Sequence, residues 1–252
     1  MKIEDPLTAV LAIARHTFMK LLVSRKAAIT VLIAGFVAAV MGYAGSLDVD
    51  PLADGTDMLD VLILFFFMPV MAMIYGASLI RDEIDDRSIT HIAVAPLDRA
   101  YAYMGYYLAL ALAVVVSIVV VNTAGFLAFF SQNGLDREAL EIYAEFTALV
   151  VTGAVVYSSL FLCVGVIFKR PVYFGLFYAF VWEGFIGSLP GVIQKFSVKH
   201  YLRSIGAEWA DQGSLGAFSG ATDPTAAWVA LAALAVVFIV LGAWTFRETE
   251  LS

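Results

Sequence analysis

The residues able to carry chemistry are few and scattered. His16, His91 and His200 stand far apart along the chain. The single cysteine, Cys163, lies inside an apolar run, which excludes an intrachain disulfide and a cysteine-based metal site. Met68 and Met71 are one helical turn apart, with Met73 nearby. Thioethers can hold Cu(I), but methionines in an apolar helix ordinarily serve packing. Gly216-Ala217-Phe218-Ser219-Gly220 holds a serine between glycines, yet it lacks G-x-S-G spacing and no histidine follows it. Neither H-E-x-x-H nor the phosphate loop G-x-x-x-x-G-K-[ST] is present, so the chain is not itself an ATPase of the phosphate-loop kind. That leaves Glu183, which follows Trp182 and is the only ionisable side chain well inside an apolar stretch. Counted from Pro171 at about 1.5 Å per residue, it lies roughly 18 Å into that stretch. A charge at such depth faces a bundle interior or a wet cavity. Two readings stay open: a hydrogen-bonded carboxyl that holds helices together, or a group that, with Trp182, lines a transport path.

The elements that must position these groups are membrane helices. Of the 252 residues 62% are hydrophobic and only 15% charged, and the mean hydropathy is +0.88. A soluble domain carries about 25% charged residues. The net charge of -7, without a basic domain, argues against nucleic acid as a partner. Roughly 20 apolar residues are needed to cross the hydrocarbon. Six stretches qualify, at about 27–44, 61–80, 100–130, 146–168, 171–194 and 224–246, with Pro69 a kink in the second. All six read as helices, because open strands cannot satisfy their backbone in lipid. The fold class is therefore an all-α membrane protein, one transmembrane domain over 1–252. With both termini in the cytoplasm, 11 of the 15 basic residues fall in cytoplasmic segments, as the positive-inside rule requires. A cytoplasmic membrane, crossed several times, is the expected location. Residues 6–24 place Leu7, Val10, Leu11, Ala14, Phe18, Leu21 and Leu22 at helical spacing, with His16 and Lys20 opposite Phe18. This predicts an interfacial amphipathic helix. After Glu183, the residues Gly184, Gly187, Pro190 and Gly191 weaken the helix where it should finish crossing, which predicts a re-entrant segment. Lys195, Lys199, His200 and Arg203 then follow at helical spacing, as a solvated face or a row for lipid phosphates.

The loop at 81–99 is the most informative stretch. It is densely charged at its start, semi-apolar after Ser88, and stopped by Pro96. It resembles the loop between spans two and three in permease subunits of ABC-2 type ATP-binding cassette transporters. Those carry Glu-x-Glu-x-Gly-Thr, a few apolar residues, Pro-x-x-Arg and then Gly-Lys. Here Glu83 and Asp85 match the acidic pair, Ser88 stands for the threonine, Pro96 and Arg99 match Pro-x-x-Arg, and Gly105 matches the later glycine. Arg87 replaces a glycine and Tyr106 replaces the lysine. Trp182-Glu183 followed by Gly184, Gly187, Pro190 and Gly191 also looks like the fifth span of these permeases.

The resemblance implies that 81–99 is a cytoplasmic coupling helix, with Asp82, Glu83, Asp85, Arg87, Ser88, Pro96 and Arg99 at the contact with a separate ATPase. It further implies two ATPase copies binding ATP and Mg, and a second permease copy or a sister permease. No cofactor is then expected in this chain. The expected activity is ATP-driven export of a hydrophobic or amphiphilic cargo, with no enzyme activity of its own. The alternatives are an ATP-independent secondary transporter or channel, which usually carries several intramembrane charges, and a copper- or sulfur-related permease for metalloenzyme maturation.

Overall fold

The computed structural model describes residues 6–80, 83, 99–185, 187, 189, 191–209, 213–216, 218 and 220–248. All regular structure among them is helical. Helix α1 is Pro6–Leu22 and α2 is Arg25–Gly45. Helix α3 runs Pro51–Gly76 and is wound as a π-helix over Asp60–Phe67. Helices α4 and α5 are Arg99–Asn133 and Arg137–Ile167. Helix α6 begins as Pro171–Leu176 and continues as a π-helix over Phe177–Phe185. A 3-10 turn, Val192–Phe196, leads to α7, Val198–Trp209. The short α8, Gly213–Gly216, and the long α9, Pro224–Glu248, complete the chain.

Local chemistry sets where these helices start. Ser24, Asp50 and Asp136 each accept from a backbone N–H in the first turn of α2, α3 and α5, which satisfies donors the helix cannot. Asp223 does the same for α9, accepting from Ala226 N at 3.2 Å. The π winding of α3 ends directly before Pro69. Proline has no N–H for the carbonyl four residues back and its ring crowds that carbonyl, so the preceding turn widens. Met68 N accordingly bonds Ile63 O, five residues back.

Among the described residues, five helices are long and apolar enough to cross a membrane: α2, α3, α4, α5 and α9. They cover five of the six predicted stretches, and α5 starts nine residues earlier than expected, with the charged turn at Arg137. The remaining stretch, expected to cross over 171–194, is helical only to Phe185. Its six residues of α-helix and nine of π-helix fall short of about 30 Å. Gly191, at φ +98°, then turns the chain toward α7.

Helices α3, α4 and α5 form the centre of the bundle, with 61%, 61% and 72% of their most apolar windows buried, against 28% for α2 and 22% for α9. Absent side chains set two of the crossings. A Cβ on Gly105 of α4 would stand 2.9 Å from Ile13 Cβ and 3.0 Å from Val10 O, so α1 lies directly on α4 at that point. A Cβ on Gly153 of α5 would collide with the Met68 sulfur of α3. Small residues of this kind let membrane helices approach closely. At the far end, Gln132 donates to Gly42 O at 2.7 Å and Asn133 to Gly45 O at 3.0 Å, tying α4 to α2.

Overpacking a tight crossing costs roughly 1–3 kcal/mol. Gly105→Val is therefore expected to lower the detergent melting temperature and loosen α1. Gly35→Ala, where no atom lies within 4 Å of the new Cβ, is expected to raise stability by up to about 1 kcal/mol. Equal effects of the two substitutions in a thermal melt would contradict the assigned crossing.

Candidate functional site

Polar side chains gather at the two ends of the bundle. At the α1 end, Glu83 is buried, at 6% exposure. Its Oε1 meets Lys20 Nζ of α1 at 2.5 Å. Lys26 donates to Ser78 Oγ at 3.0 Å and to Tyr75 O at 3.4 Å, and Thr30 shares a 2.8 Å hydrogen bond with the Tyr75 hydroxyl. Arg99 Nη1 donates to Arg247 O at 3.3 Å, which joins the start of α4 to the end of α9. Helices α1, α2, α4 and α9 and the residues after α3 are thus cross-tied at one level. Of the predicted coupling set, Glu83 and Arg99 are both placed here. Asp82, Asp85, Arg87, Ser88 and Pro96 lie outside the described residues. Sequence reasoning assigned Lys20 to lipid headgroups and missed its ion pair with Glu83.

At the opposite end, Glu183 is 1% exposed. Its oxygens accept from four donors: the Tyr178 hydroxyl at 2.8 Å, Ser197 Oγ, Val198 N at 3.0 Å and Lys199 N at 3.3 Å. Tyr157 of α5 faces the same carboxyl. The two backbone donors are the open N–H groups at the start of α7, where a negative group is favoured. Trp182 is half-buried, and its indole donates to Phe196 O at 3.1 Å. Both predicted residues of α6 therefore hold the chain that returns from it.

Helix α7 carries its basic residues inward. Lys199 is 7% and His200 1% exposed. Lys199 Nζ stands 3.7 Å from the centroid of Phe65 in α3. Arg203 pairs with Asp60, the first residue of the π segment of α3, at 2.9 Å, and covers the Phe218 ring at 4.8 Å. His200 Nε2 bonds Thr222 Oγ1 at 2.9 Å, and Ser204 Oγ accepts from Thr222 N at 3.1 Å. The expected solvated face therefore holds only for Lys195, which is exposed. Burial, and next the neighbouring Arg203, push the Lys199 ammonium down to about 8, while Asp60 and Glu183 act in the opposite sense. The pairing of Asp60 with Arg203 could not be read from the sequence. The available signal was an acidic residue in the first turn of an apolar stretch.

A groove of about 350 Å³ runs between the two π segments. Phe65, Phe66, Val70, Ala179, Phe180, Gly184 and Phe185 line it. Phe66 and Phe180 meet edge to face across it at 5.8 Å. This surface can hold apolar matter but offers no side chain that transfers a proton or attacks a bond. Among the described residues, no three of the His, Cys, Asp and Glu side chains come together as a metal site. Met68 and Met71 are fully buried, and the Met68 sulfur fills the space over Gly153.

The model of a family described as ABC-2 family transporter protein matches residues 15–185, more than half of the chain. No curated protein matches it. The matched region runs from α1 to the end of α6 and includes Glu83, Gly105, Trp182 and Glu183, while α7 to α9 lie beyond it. ABC-2 permeases normally pair with an ABC ATPase and work in a membrane. Long apolar helices, polar ties at both bundle ends and this match agree: the chain belongs to the ABC-2 family, as a multi-pass membrane permease of an ABC transporter.

Proposed function

We propose that this chain is one of two permease chains in an ATP-driven exporter of a hydrophobic or amphiphilic cargo. A separate ATPase, present twice and carrying ATP and Mg, docks on segment 81–99. The observation that carries this reading is the ion pair between the half-exposed Lys20 side chain and the buried Glu83. Through it, a force on the segment reaches α1, and through the tight contact at Gly105 it reaches the central helix α4. Arg99, bonded to the end of α9, extends the same path to the last helix.

The α1 end is cytoplasmic in this reading, with α1 lying in the headgroup layer. The basic residues Arg15, Lys20, Arg25 and Lys26 support that side. Trp228 and Trp244 on α9, 40% and 58% exposed, are separated by roughly 24 Å along the helix. That spacing suits the two interfaces of one bilayer. It puts Thr222, and with it His200 and Ser204, at the outer surface. The segment from Gly191 through α7 is then a re-entrant outer cover, and α6 is a sixth, shortened crossing that ends beneath it. The cargo moves along the apolar groove between α3 and α6, next to the second permease. The side chains that line it are all apolar, which supports a cargo with an apolar body. Glu183 has no surface to offer to such a path. Its role is to anchor α7, with Trp182 holding the preceding turn.

Two outcomes follow. In inverted vesicles of the native cell carrying a fluorescent amphiphile, Glu83→Lys and Lys20→Glu are each expected to cut ATP-dependent uptake about tenfold. The charge-swapped double variant should recover a large part of it. Wild-type uptake in both single variants would contradict the coupling role. Glu183→Ala leaves the Val198 and Lys199 amides without their acceptor, at about 1–3 kcal/mol for each buried group, and is expected to reduce the yield of folded protein. Glu183→Gln keeps one acceptor oxygen but sets an NH2 against one of the two amides, so it is expected to fold in intermediate yield and, once folded, to transport within about twofold of wild type. A well-folded Gln variant without transport would make Glu183 part of the path.

A further inference from the structure

Tyr178 and Glu183 are five residues apart on α6, and the Tyr178 hydroxyl donates to Glu183 Oε1 at 2.8 Å. In an α-helix that spacing sets two side chains about 140° apart around the axis. The bond forms because Phe177–Phe185 is wound as a π-helix, where backbone bonding reaches five residues and brings the fifth residue back over the first. The π segment of α3 ends directly before Pro69 and has a covalent reason to exist. Phe177–Phe185 contains no proline. Hydrogen bonds to one carboxyl hold its winding: Tyr178 donates from within the segment, and Ser197 Oγ, Val198 N and Lys199 N donate from the start of α7.

We infer that the Tyr178–Glu183 pair is the clasp of a two-state winding switch in α6 that holds or releases α7. In the wide state, the carboxyl sits on the first amides of α7. When one wide turn narrows to α, the residues beyond it rotate by about one position, roughly 100°. Glu183 then leaves the α7 amides and loses Tyr178 at the same time. Helix α7 keeps its other ties, Arg203 to Asp60 on α3 and His200 and Ser204 to Thr222, so its first turn lifts while the rest of the helix stays attached. Ala179, Phe180, Gly184 and Phe185 belong to the same segment and form one wall of the groove. A change of winding therefore remakes the groove and frees its cover in one step. Discrete repacking of this kind is how bundles switch.

The test reads winding and not transport, so its outcome is separate from that of the transport reading. In a Cys163→Ala background, spin labels are placed at Phe185→Cys on α6 and Val229→Cys on α9, both 66% exposed in the native protein. The distance between them is measured with the full chain in lipid nanodiscs. Deletion of Ala179 removes one residue from the wide turns and is expected to give a single, displaced distance. Tyr178→Phe keeps the ring and removes only the bond. Loss of such a bond shifts a two-state equilibrium by about tenfold to a hundredfold. The displaced population is thus expected to grow at least tenfold, with amide exchange at Val198 and Lys199 rising in parallel. If Tyr178→Phe keeps the wild-type distance and wild-type exchange at those amides, the switch is wrong, whether or not the deletion variant folds. If exchange rises while the distance stays single and unchanged, Tyr178 only strengthens a static cap and the switch is equally overturned.

Discussion

Hydrocarbon offers no hydrogen bonds, and that constraint orders this molecule. A polar group that enters the bundle is costly unless it finds a partner inside the chain. Glu183 is the sharpest instance. A carboxyl so placed, 1% exposed, could persist only by collecting donors, and it does so from its own helix and from the helix that follows. In supplying them, α7 is drawn onto the bundle, and its lysine, histidine and arginine turn inward toward Phe65, Thr222 and Asp60. One buried acceptor thereby dictates why α6 stops early and why an amphipathic helix packs its basic residues inward.

The two ends of the bundle answer the same constraint in different ways. At the α1 end, ties run between chain segments that flank long helices: Lys20 to Glu83, Lys26 to Ser78, Arg99 to Arg247. These are girdle contacts, and they leave the apolar middle of each helix undisturbed. At the other end, the ties penetrate, and they land on the two π-wound segments. Asp60 and Phe65 belong to one, Tyr178 and Glu183 to the other. Wide turns free side-chain directions that regular α-helix does not provide, and often mark functional places in a helix. Here they face each other across the apolar groove.

Much of the fold could be read from hydropathy, because apolar runs of twenty residues have one stable form in lipid. The runs that became α2, α3, α4, α5 and α9 were legible, as was the amphipathic α1. Pro69 announced a disturbance in α3. Glu183 stood out as a misplaced charge and Glu83 as part of a motif. What could not be read was who pairs with whom. Asp60 and Arg203 lie far apart along the chain, and nothing local to either names the other. Lys20 looked like a lipid-facing base, since its pairing depends on α1 crossing α4 at Gly105. The winding of α6 was invisible for a related reason. Its sequence is a good apolar helix, and only the geometry of four donors around one carboxyl widens its turns. Glycines after Glu183 did signal a break, but not that the chain returns to cap itself.

In the proposed function, this chain moves cargo through work done by another protein. The most direct measurement is purification of the tagged chain from its native membrane in mild detergent, with identification and quantification of what accompanies it. A soluble subunit bearing a phosphate loop is expected to accompany it, in one-to-one ratio with the permease. Its retention should fall when the Lys20–Glu83 pair is broken. A folded, multi-pass protein recovered with no such subunit, still able to move an amphiphile across proteoliposomes without ATP, would contradict the account.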